Sequence, residues 1–281
     1  MNCNLALNFF HLSDMPGQST LDESALDTNT FYRRTLHVLS DAGVPFLVGG
    51  SHAFLEYTGI VRNTKDFDLF LRRTDLDRGT EALRDAGYRT EVRFPHWLAK
   101  AFQHDDFVDL VFSSGNGICV VDDAWFEHAV ETQVLGMPVK IVPCEELFWQ
   151  KAFVMERERF DGADLMHILR SRAESIDWAR LLSRFGERWP LLYTYLVYFT
   201  FVFPSEAHRL PSAVLDDLAA RFAAQRASPS TERVCQGTLI SREQYLIDVG
   251  QHGYADARLN PRGTMSAEDA IYWTWAIGNV K

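Results

Sequence analysis

The pattern of hydrophobic and polar positions divides the chain near Pro143. Before that point, segments with helical periodicity alternate with short strand-like runs, whereas from Glu145 onward the spacing is that of one helix after another. We therefore predict an α+β fold. A small mixed β-sheet with flanking helices is expected over residues 29–143 and a mainly helical domain over 144–281, with 1–28 as a loosely held leader.

Individual elements follow from the same pattern and from the glycines that end it. In the first part, helices are predicted over residues 31–42, 52–57 and 75–86, and strands over 44–50 and 65–71. Two hairpins are predicted, pairing 107–112 with 118–121 across Ser-Ser-Gly-Asn-Gly and 132–135 with 139–142 around Gly136. Later helices are predicted over residues 145–155, 161–170, 178–185, 191–203 and 212–224.

Composition and charge narrow the class of protein. Of 281 residues, 47% are hydrophobic, which is enough for a substantial core. The net charge of −10 disfavours non-specific binding to nucleic acid or to an anionic membrane. Four scattered cysteines without a CxxC pair argue against a zinc ribbon and suit a reducing compartment. With no signal-peptide pattern at the start, we expect a cytoplasmic protein.

Three aspartates suggest a metal site. Asp66 and Asp68 are two residues apart on a predicted strand, so their side chains point to the same face. Two neighbouring carboxylates repel each other unless a cation lies between them, and hard oxygen ligands favour Mg²⁺ or Mn²⁺. Asp109 lies between apolar residues on another predicted strand. If the two strands are neighbours, the three carboxylates suffice for two metal ions.

A glycine pair supplies a complementary anion site. Gly49, Gly50 and Ser51 follow a predicted strand and precede a predicted helix. Such a turn lets backbone N–H groups and the positive end of a helix approach a phosphate, and the Ser51 hydroxyl adds a donor. Phosphates beside two metal ions are typical of in-line phosphoryl or nucleotidyl transfer.

The order of these motifs resembles that of the polymerase-beta-type nucleotidyltransferase superfamily. The segment from Arg62 to Leu69 is similar to a bacterial subgroup that includes the AbiE-type abortive-infection toxins and uncharacterised nucleotidyltransferases. That subgroup also has a lysine followed by arginine and aspartate positions where this chain has Lys151 and the segment 157–164. The resemblance covers roughly residues 31–170.

The resemblance implies a metal-dependent enzyme that transfers NMP from an NTP such as ATP to a hydroxyl group and releases pyrophosphate. It implies that Asp66 and Asp68 bind two Mg²⁺ or Mn²⁺ ions, and that Asp109 binds the catalytic ion and helps to deprotonate the acceptor. The nucleotide-binding residues it implies are Gly49, Gly50, Ser51, Arg62, Thr64 and Lys151. The acceptors compatible with it are a tRNA 3′ end, a protein and a small molecule, and an antitoxin is a candidate partner.

Two other functions fit the sequence. One is a non-catalytic nucleotide-binding module of a toxin–antitoxin-like system, and the other is a phosphohydrolase that uses the same metal site. The presence of all three aspartates favours catalysis. We expect Asp161 and Asp164 to form structural ion pairs with nearby arginines rather than to act in catalysis. No chemistry follows from the segment 233–246.

Overall fold

A seven-stranded mixed β-sheet forms the centre of the first part of the chain. The computed structural model describes residues 18–62 and 66–277, with side chains from residue 28 onward. The spatial order of the sheet is β3-β4-β5-β2-β1-β7-β6. Its strands are β1 (Leu47–Val48), β2 (Asp68–Phe70), β3 (Arg89–Phe94), β4 (Leu98–Gln103), β5 (Asp106–Val111), β6 (Val130–Val134) and β7 (Met137–Ile141).

Strand directions place the acidic residues in the middle of this sheet. β2 runs parallel to β5 and antiparallel to β1. β4 joins the sheet antiparallel to β5 and pairs with β3, while β1 and β7 are parallel. Because β2 and β5 are neighbours although far apart in sequence, residues from positions near 68 and 109 meet side by side.

Helices cover the sheet and form most of the second half of the chain. In the first part they are α1 (Gln18–Asp41), α2 (Gly50–Thr58), α3 (Leu76–Asp85) and α4 (Asp123–Glu127). The second part begins with α5 (Cys144–Ala152), α6 (Gly162–Arg172), α7 (Trp178–Phe185), α8 (Trp189–Val202) and α9 (Ser212–Ala227). Short 3₁₀ turns lie at Arg73–Asp75, Gly186–Arg188, Pro204–Arg209 and Gln236–Leu239.

The chain after α9 forms a compact segment without long elements. Two residues of β8 (Val234–Cys235) pair in parallel with β9 (Ala255–Asp256), with α10 (Leu246–Gly250) between them and α11 (Ala267–Trp275) after them. Arg258 is almost fully buried and its guanidinium contacts Asp256 at 2.7 Å. This pair ties the segment together, because a buried charge needs a partner.

Alternation along β2 separates the hydrophobic core from the acidic face. Phe67 and Leu69 are fully buried, and the Phe67 ring stacks on Tyr32 of α1 with centroids 4.4 Å apart. Asp68 and Phe70 point to the other face, as the two-residue period of a strand requires. The predicted α+β fold with a mixed sheet and a helical second part is therefore confirmed.

Several predicted elements differ in extent. α1 begins at Gln18 rather than near residue 31, so residues 18–28, predicted as part of a leader, are helical; residues 1–17 lie outside the described part. β3 and β4 were not predicted, because charged, polar and apolar residues are mixed along their sequences without a clear period. The later hairpin is confirmed, with Leu135 and Gly136 at positive φ in its turn.

The strand predicted over residues 118–121 is wrong. The Asn116 side-chain oxygen accepts hydrogen bonds from the Ile118 N–H and the Ser114 hydroxyl, and the Cys119 N–H donates to the Ser114 hydroxyl oxygen. These local bonds occupy backbone groups that a hairpin ladder would need. Among the described residues, no helix is both long and apolar enough to cross a membrane.

Candidate active site

Two of the three predicted acidic residues are direct neighbours across a strand pair. Asp68 of β2 is in register with Asp109 of β5, and the Asp109 N–H donates to the Phe67 carbonyl oxygen at 2.9 Å. In-register residues of parallel strands point to the same face, so both carboxylates project from one side of the sheet. Asp66 lies two residues earlier, with an exposed side chain. All three aspartates line one cleft.

The electrostatics of this face disfavour further negative charge. Burial, together with the nearby charges of Asp109 and Asp66, raises the pKa of Asp68 to about 7, although Lys151 and Arg159 act in the opposite direction. Burial and the charge of Asp66 also raise the pKa of Asp109, against the effect of Lys100. Two carboxylates that resist ionisation side by side are typical of a site that gains stability when a cation binds.

Lys100 already pairs with one of these carboxylates. It lies directly opposite Asp109 on the antiparallel strand β4, and its Nζ is 2.8 Å from Asp109 Oδ1. The same Nζ lies 4.0 Å from the centroid of the Phe107 ring. Sequence reasoning missed Lys100 because β4 was not predicted, and without that strand nothing in the spacing brings position 100 to position 109.

The carboxylates fit a hard divalent cation that takes only some of its ligands from the protein. Among the described residues, no three side chains of His, Cys, Asp or Glu are arranged as a complete metal-binding group. Mg²⁺ is commonly held by one or two carboxylates, with water and substrate phosphates as its other ligands. The paired, partly buried oxygens of Asp68 and Asp109, with Asp66 beside them, suit that mode of binding better than a closed protein cage.

Gly50 lies against the Asp68 carboxylate at the start of α2. Its φ is +54°, and a Cβ at this position would be 1.9 Å from Asp68 Oδ2. The Gly49 N–H donates to the Asp68 carbonyl oxygen at 2.9 Å, and a Cβ on Gly49 would be 2.2 Å from the Phe70 ring. The predicted Gly-Gly-Ser turn is thus packed directly against the acidic strand, which brings the start of α2 to the acidic face.

The predicted phosphate-binding cations also line the cleft, but they are already paired with carboxylates. Lys151 Nζ contacts Asp161 Oδ2 at 3.0 Å and Asp164 Oδ2 at 2.8 Å. Arg62 contacts Asp164 Oδ1 at 2.8 Å. Ser51 lines the cleft beside them, whereas Thr64 lies outside the described residues. A phosphate bound here would share Lys151 and Arg62 with these acids.

Asp161 forms the ion pair with a nearby arginine that the sequence predicts, whereas Asp164 has other partners. Arg159 donates two hydrogen bonds to Asp161, from Nε at 2.9 Å and from Nη2 at 3.0 Å. Asp164 pairs with Lys151 and Arg62 instead of a neighbouring arginine. The Arg62–Asp164 pair connects the segment after α2 with the helical part of the chain.

The cleft also includes residues that the sequence did not single out. It has a volume of about 620 Å³ and extends from the aspartates to Trp97, Asn116, Arg242 and Trp273. Two of these residues come from the segment after α9. Arg242 belongs to the segment 233–246, to which the sequence alone assigns no chemistry. No spacing in the sequence connects this segment with the three aspartates.

Three solved structures are similar to this chain at low sequence identity. An antigenic nucleotidyltransferase-like protein from Paracoccidioides brasiliensis is 17% identical, with 67% of this chain and 96% of that chain covered and a TM-score of 0.44. ANT(2″)-Ia in complex with adenylyl-2″-tobramycin is 14% identical, with coverages of 70% and 99% and a TM-score of 0.38. The lincosamide antibiotic adenylyltransferase LnuA, lincomycin-bound, is 16% identical, with coverages of 51% and 96% and a TM-score of 0.37. No protein with a curated functional description matches the chain.

A family model covers the part of the chain that contains the acidic face. Its description is nucleotidyl transferase of unknown function (DUF2204), and it matches residues 28–182, which is more than half of the chain. The matched range includes the Gly-Gly-Ser turn, all three aspartates and Lys151. The match confirms the predicted enzyme class and the superfamily-level resemblance. The chain belongs to this family and is a nucleotidyltransferase.

Proposed function

We propose that this protein transfers an NMP group from an NTP to a hydroxyl acceptor, using two divalent metal ions. The acceptor oxygen forms a bond to the α-phosphorus, and the bond from that phosphorus to the β-phosphate oxygen breaks. Pyrophosphate leaves, and the hydroxyl proton passes to a carboxylate before its release to water. The products are an NMP ester of the acceptor and pyrophosphate.

The observation that supports this proposal most strongly is the in-register pair of Asp68 and Asp109 with Gly50 against it. The backbone at Gly50 approaches the carboxylate pair closely, which supports a site where phosphate and cations would bind within one small space. Divalent ions bound there would polarise the α-phosphate and neutralise charge on the pyrophosphate. In the proposal, Asp66 and Asp68 hold both ions, while Asp109 holds one ion and accepts the hydroxyl proton.

The residues on the nucleotide side orient the triphosphate. The N–H groups at the start of α2 and the Ser51 hydroxyl are donors for phosphate oxygens. Lys151 and Arg62 add positive charge, held at the cleft wall by Asp161 and Asp164. This arrangement suits in-line transfer, because catalysis of that kind relies on positioning and charge neutralisation rather than on a covalent intermediate.

One observation favours a second candidate, a non-catalytic nucleotide-binding module. The Lys100 ammonium group already neutralises Asp109, so the face carries one fixed cation of its own. In that case the chain would bind an NTP without a divalent ion. Catalysis by the first mechanism instead requires that nucleotide binding strengthen when Mg²⁺ or Mn²⁺ is added.

A label-transfer assay tests the proposal. Purified full-length protein is incubated with each of the four α-labelled NTPs, Mg²⁺ or Mn²⁺, and a cell lysate. We expect label on an acceptor with the wild-type chain and none with the Asp66→Ala, Asp68→Ala double variant. NTP binding that is equally strong with and without a chelator, and no transfer, would favour the binding module. Release of labelled NMP alone would indicate a phosphohydrolase.

A role in a toxin–antitoxin-like system rests on the sequence resemblance to AbiE-type toxins. In that role the protein would have an antitoxin as its partner, and its expression would arrest the growth of the host cells. Induced expression of the wild-type chain, compared with the Asp66→Ala, Asp68→Ala variant, tests this role. Equal growth of the two cultures would contradict it.

A further inference from the structure

The cleft continues beyond the aspartates to a second end with different chemistry. Strand β5 runs two residues past Asp109 to Val111, which also lines the cleft, and the chain then turns through residues 113–116. We name this region the aromatic end and define it by Trp97, Ser114, Asn116, Glu158, Arg242 and Trp273, all of which line the cleft. The turn at Gly50 and Ser51 lies on the other side, against Asp68.

Two indole rings form the apolar part of this end. The centroids of Trp97 and Trp273 are 5.1 Å apart, and their planes meet at 74°. Phe94 supports both rings, stacked on Trp97 at 5.7 Å and edge-on to Trp273 at 4.9 Å. Both indoles remain partly exposed. The result is a rigid apolar corner beside the acidic face, which suits a ring with one apolar side.

The segment after α9 holds this corner in place. A Cβ on Gly115 would lie 2.4 Å from the Trp273 ring, so the loop of the first part packs directly on α11. The buried Asn116 side chain donates to the Leu239 carbonyl oxygen at 2.7 Å. The Arg242 guanidinium lies 4.6 Å from the centroid of the Trp273 ring. These contacts make the C-terminal segment one wall of the catalytic cleft.

Charge at the aromatic end disfavours an anionic ligand. Of the six residues that define it, Arg242 is the one basic side chain, and it is paired with Glu156 at 2.8 Å and with Glu158 at 3.2 Å. The neighbouring Arg159, which also lines the cleft, is paired with Asp161. Glu158 is 58% exposed. An RNA acceptor needs lysine or arginine for its phosphates, so this end lacks the cations that extended RNA binding requires.

We infer that the aromatic end binds the acceptor, and that the acceptor is a small neutral or cationic compound with a hydroxyl group beside an apolar ring face. This inference rests on the proposed function. The 620 Å³ cleft must hold both the nucleotide and the acceptor, and its size is within the roughly 300–1,000 Å³ range of small-molecule pockets. Stacking on Trp97 and Trp273 orients the ring, and the hydroxyl points toward Asp109.

The test compares two acceptor fractions from one lysate: an ultrafiltrate containing only small molecules, and purified total tRNA. Each is incubated with full-length protein, an α-labelled NTP and Mn²⁺. Three variants are measured: Trp273→Leu, Trp97→Leu and, as a matched control on the same helix α11, Trp275→Leu, whose side chain is 55% exposed and does not line the cleft. NTP affinity is measured in parallel with a fluorescent NTP analogue.

We expect label in the small-molecule fraction. The amount of ultrafiltrate needed for half-maximal transfer should rise at least about tenfold in Trp273→Leu and Trp97→Leu, with NTP affinity unchanged, because lost stacking weakens acceptor binding alone. Trp275→Leu should behave as wild type.

Label on tRNA but not on small molecules would overturn the inference and leave the proposed function standing. Small-molecule transfer with the same half-maximal amount in all three variants would also overturn it. Absence of transfer to either fraction, with transfer still seen in whole lysate, would overturn this inference and leave the proposed function standing. Absence of transfer in whole lysate as well, despite NTP binding, would refute the proposed function and this inference with it.

Discussion

Gly50 illustrates how one residue links backbone geometry to the chemistry of the site. Its positive φ lies in a region that residues with a Cβ rarely adopt, and its missing side chain leaves room for the Asp68 carboxylate. Gly43 and Gly59 also have positive φ, of +64° and +70°, but a Cβ on either would meet no atom within 4 Å. Alanine substitutions at the three glycines therefore distinguish two costs. All three impose the cost of a strained backbone, and only Gly50→Ala adds the cost of steric overlap.

We predict that Gly50→Ala abolishes NMP transfer and lowers the unfolding free energy by more than Gly43→Ala or Gly59→Ala. The two controls should lose about 1–2 kcal/mol each, from the strained backbone alone. Gly50→Ala must in addition displace Asp68 from the cleft. Chemical denaturation and the label-transfer assay measure both effects. Equal stability losses in all three variants would show that the overlap with Asp68 is relieved without cost.

The pairing of β2 with β5 brings two carboxylates together that the chain separates by 41 positions, and neither strand alone creates the site. The third strand of this group, β4, brings Lys100 to Asp109. A single aspartate on one exposed strand would be hydrated by solvent and would keep its ordinary pKa. Three adjacent strands turn these residues into a charge cluster that couples folding to protonation.

We predict that Asp68 progressively destabilises the metal-free protein as the pH rises from about 4 to about 7. The unfolded Asp68 carboxyl ionises near its ordinary pKa of 3.8, whereas burial and the neighbouring aspartates raise its pKa in the folded state to about 7. Between these values the folded state binds more protons, so the unfolding free energy falls with rising pH and levels off above 7. Thermal melting at several pH values in a chelator measures this.

Two variants and added Mg²⁺ distinguish the contribution of Asp68 from other causes of pH dependence. Asp68→Asn should lack this part of the pH dependence and melt higher than wild type at pH 8. Asp105→Asn, at an exposed position in the turn before β5, should follow the wild type. Mg²⁺ added at pH 8 should raise the melting temperature of the wild type and not that of Asp68→Asn. Parallel melting curves for all three proteins across the pH range would contradict the prediction.

Across the described chain, the sheet and the C-terminal segment line a single cleft. Asn116 connects them: its amide donates to the Leu239 carbonyl oxygen, and its side-chain oxygen accepts from Ser114 and Ile118. The Thr264 hydroxyl donates to the Gly117 carbonyl oxygen at 2.7 Å in the same region. The loop after β5 is thus shaped by residues more than a hundred positions away, which explains why it is not a hairpin.

We predict that Asn116→Ala lowers the unfolding free energy by about 2–4 kcal/mol, because it leaves several buried polar groups without partners. It should also make the segment after residue 234 more sensitive to limited proteolysis. Gln251→Ala, at an exposed position of that segment, should change stability by less than about 0.5 kcal/mol. Unchanged proteolysis in Asn116→Ala would mean that other contacts hold the segment to the sheet.

Local sequence was sufficient for elements whose own pattern specifies them. The helix α7 was predicted at its observed limits, and the turn of the β6–β7 hairpin follows from glycine at position 136. The enzyme class came from the family resemblance that the order of Gly-Gly-Ser, Asp66, Asp68 and Asp109 carries. For the helix and the turn the information is short-range: residue types and spacings that one element requires.

Contacts between segments that are distant in sequence could be identified only from the tertiary structure. The period of a strand shows which face a residue occupies, but not which strand lies beside it, so Lys100 and its pairing with Asp109 were not predictable. The same reason applies to Trp273 and Arg242, whose segment has no regular period of its own. Their positions depend on packing against Gly115, Asn116 and Glu156, and such long-range packing is decided by the free energy of the complete chain rather than by any local stretch.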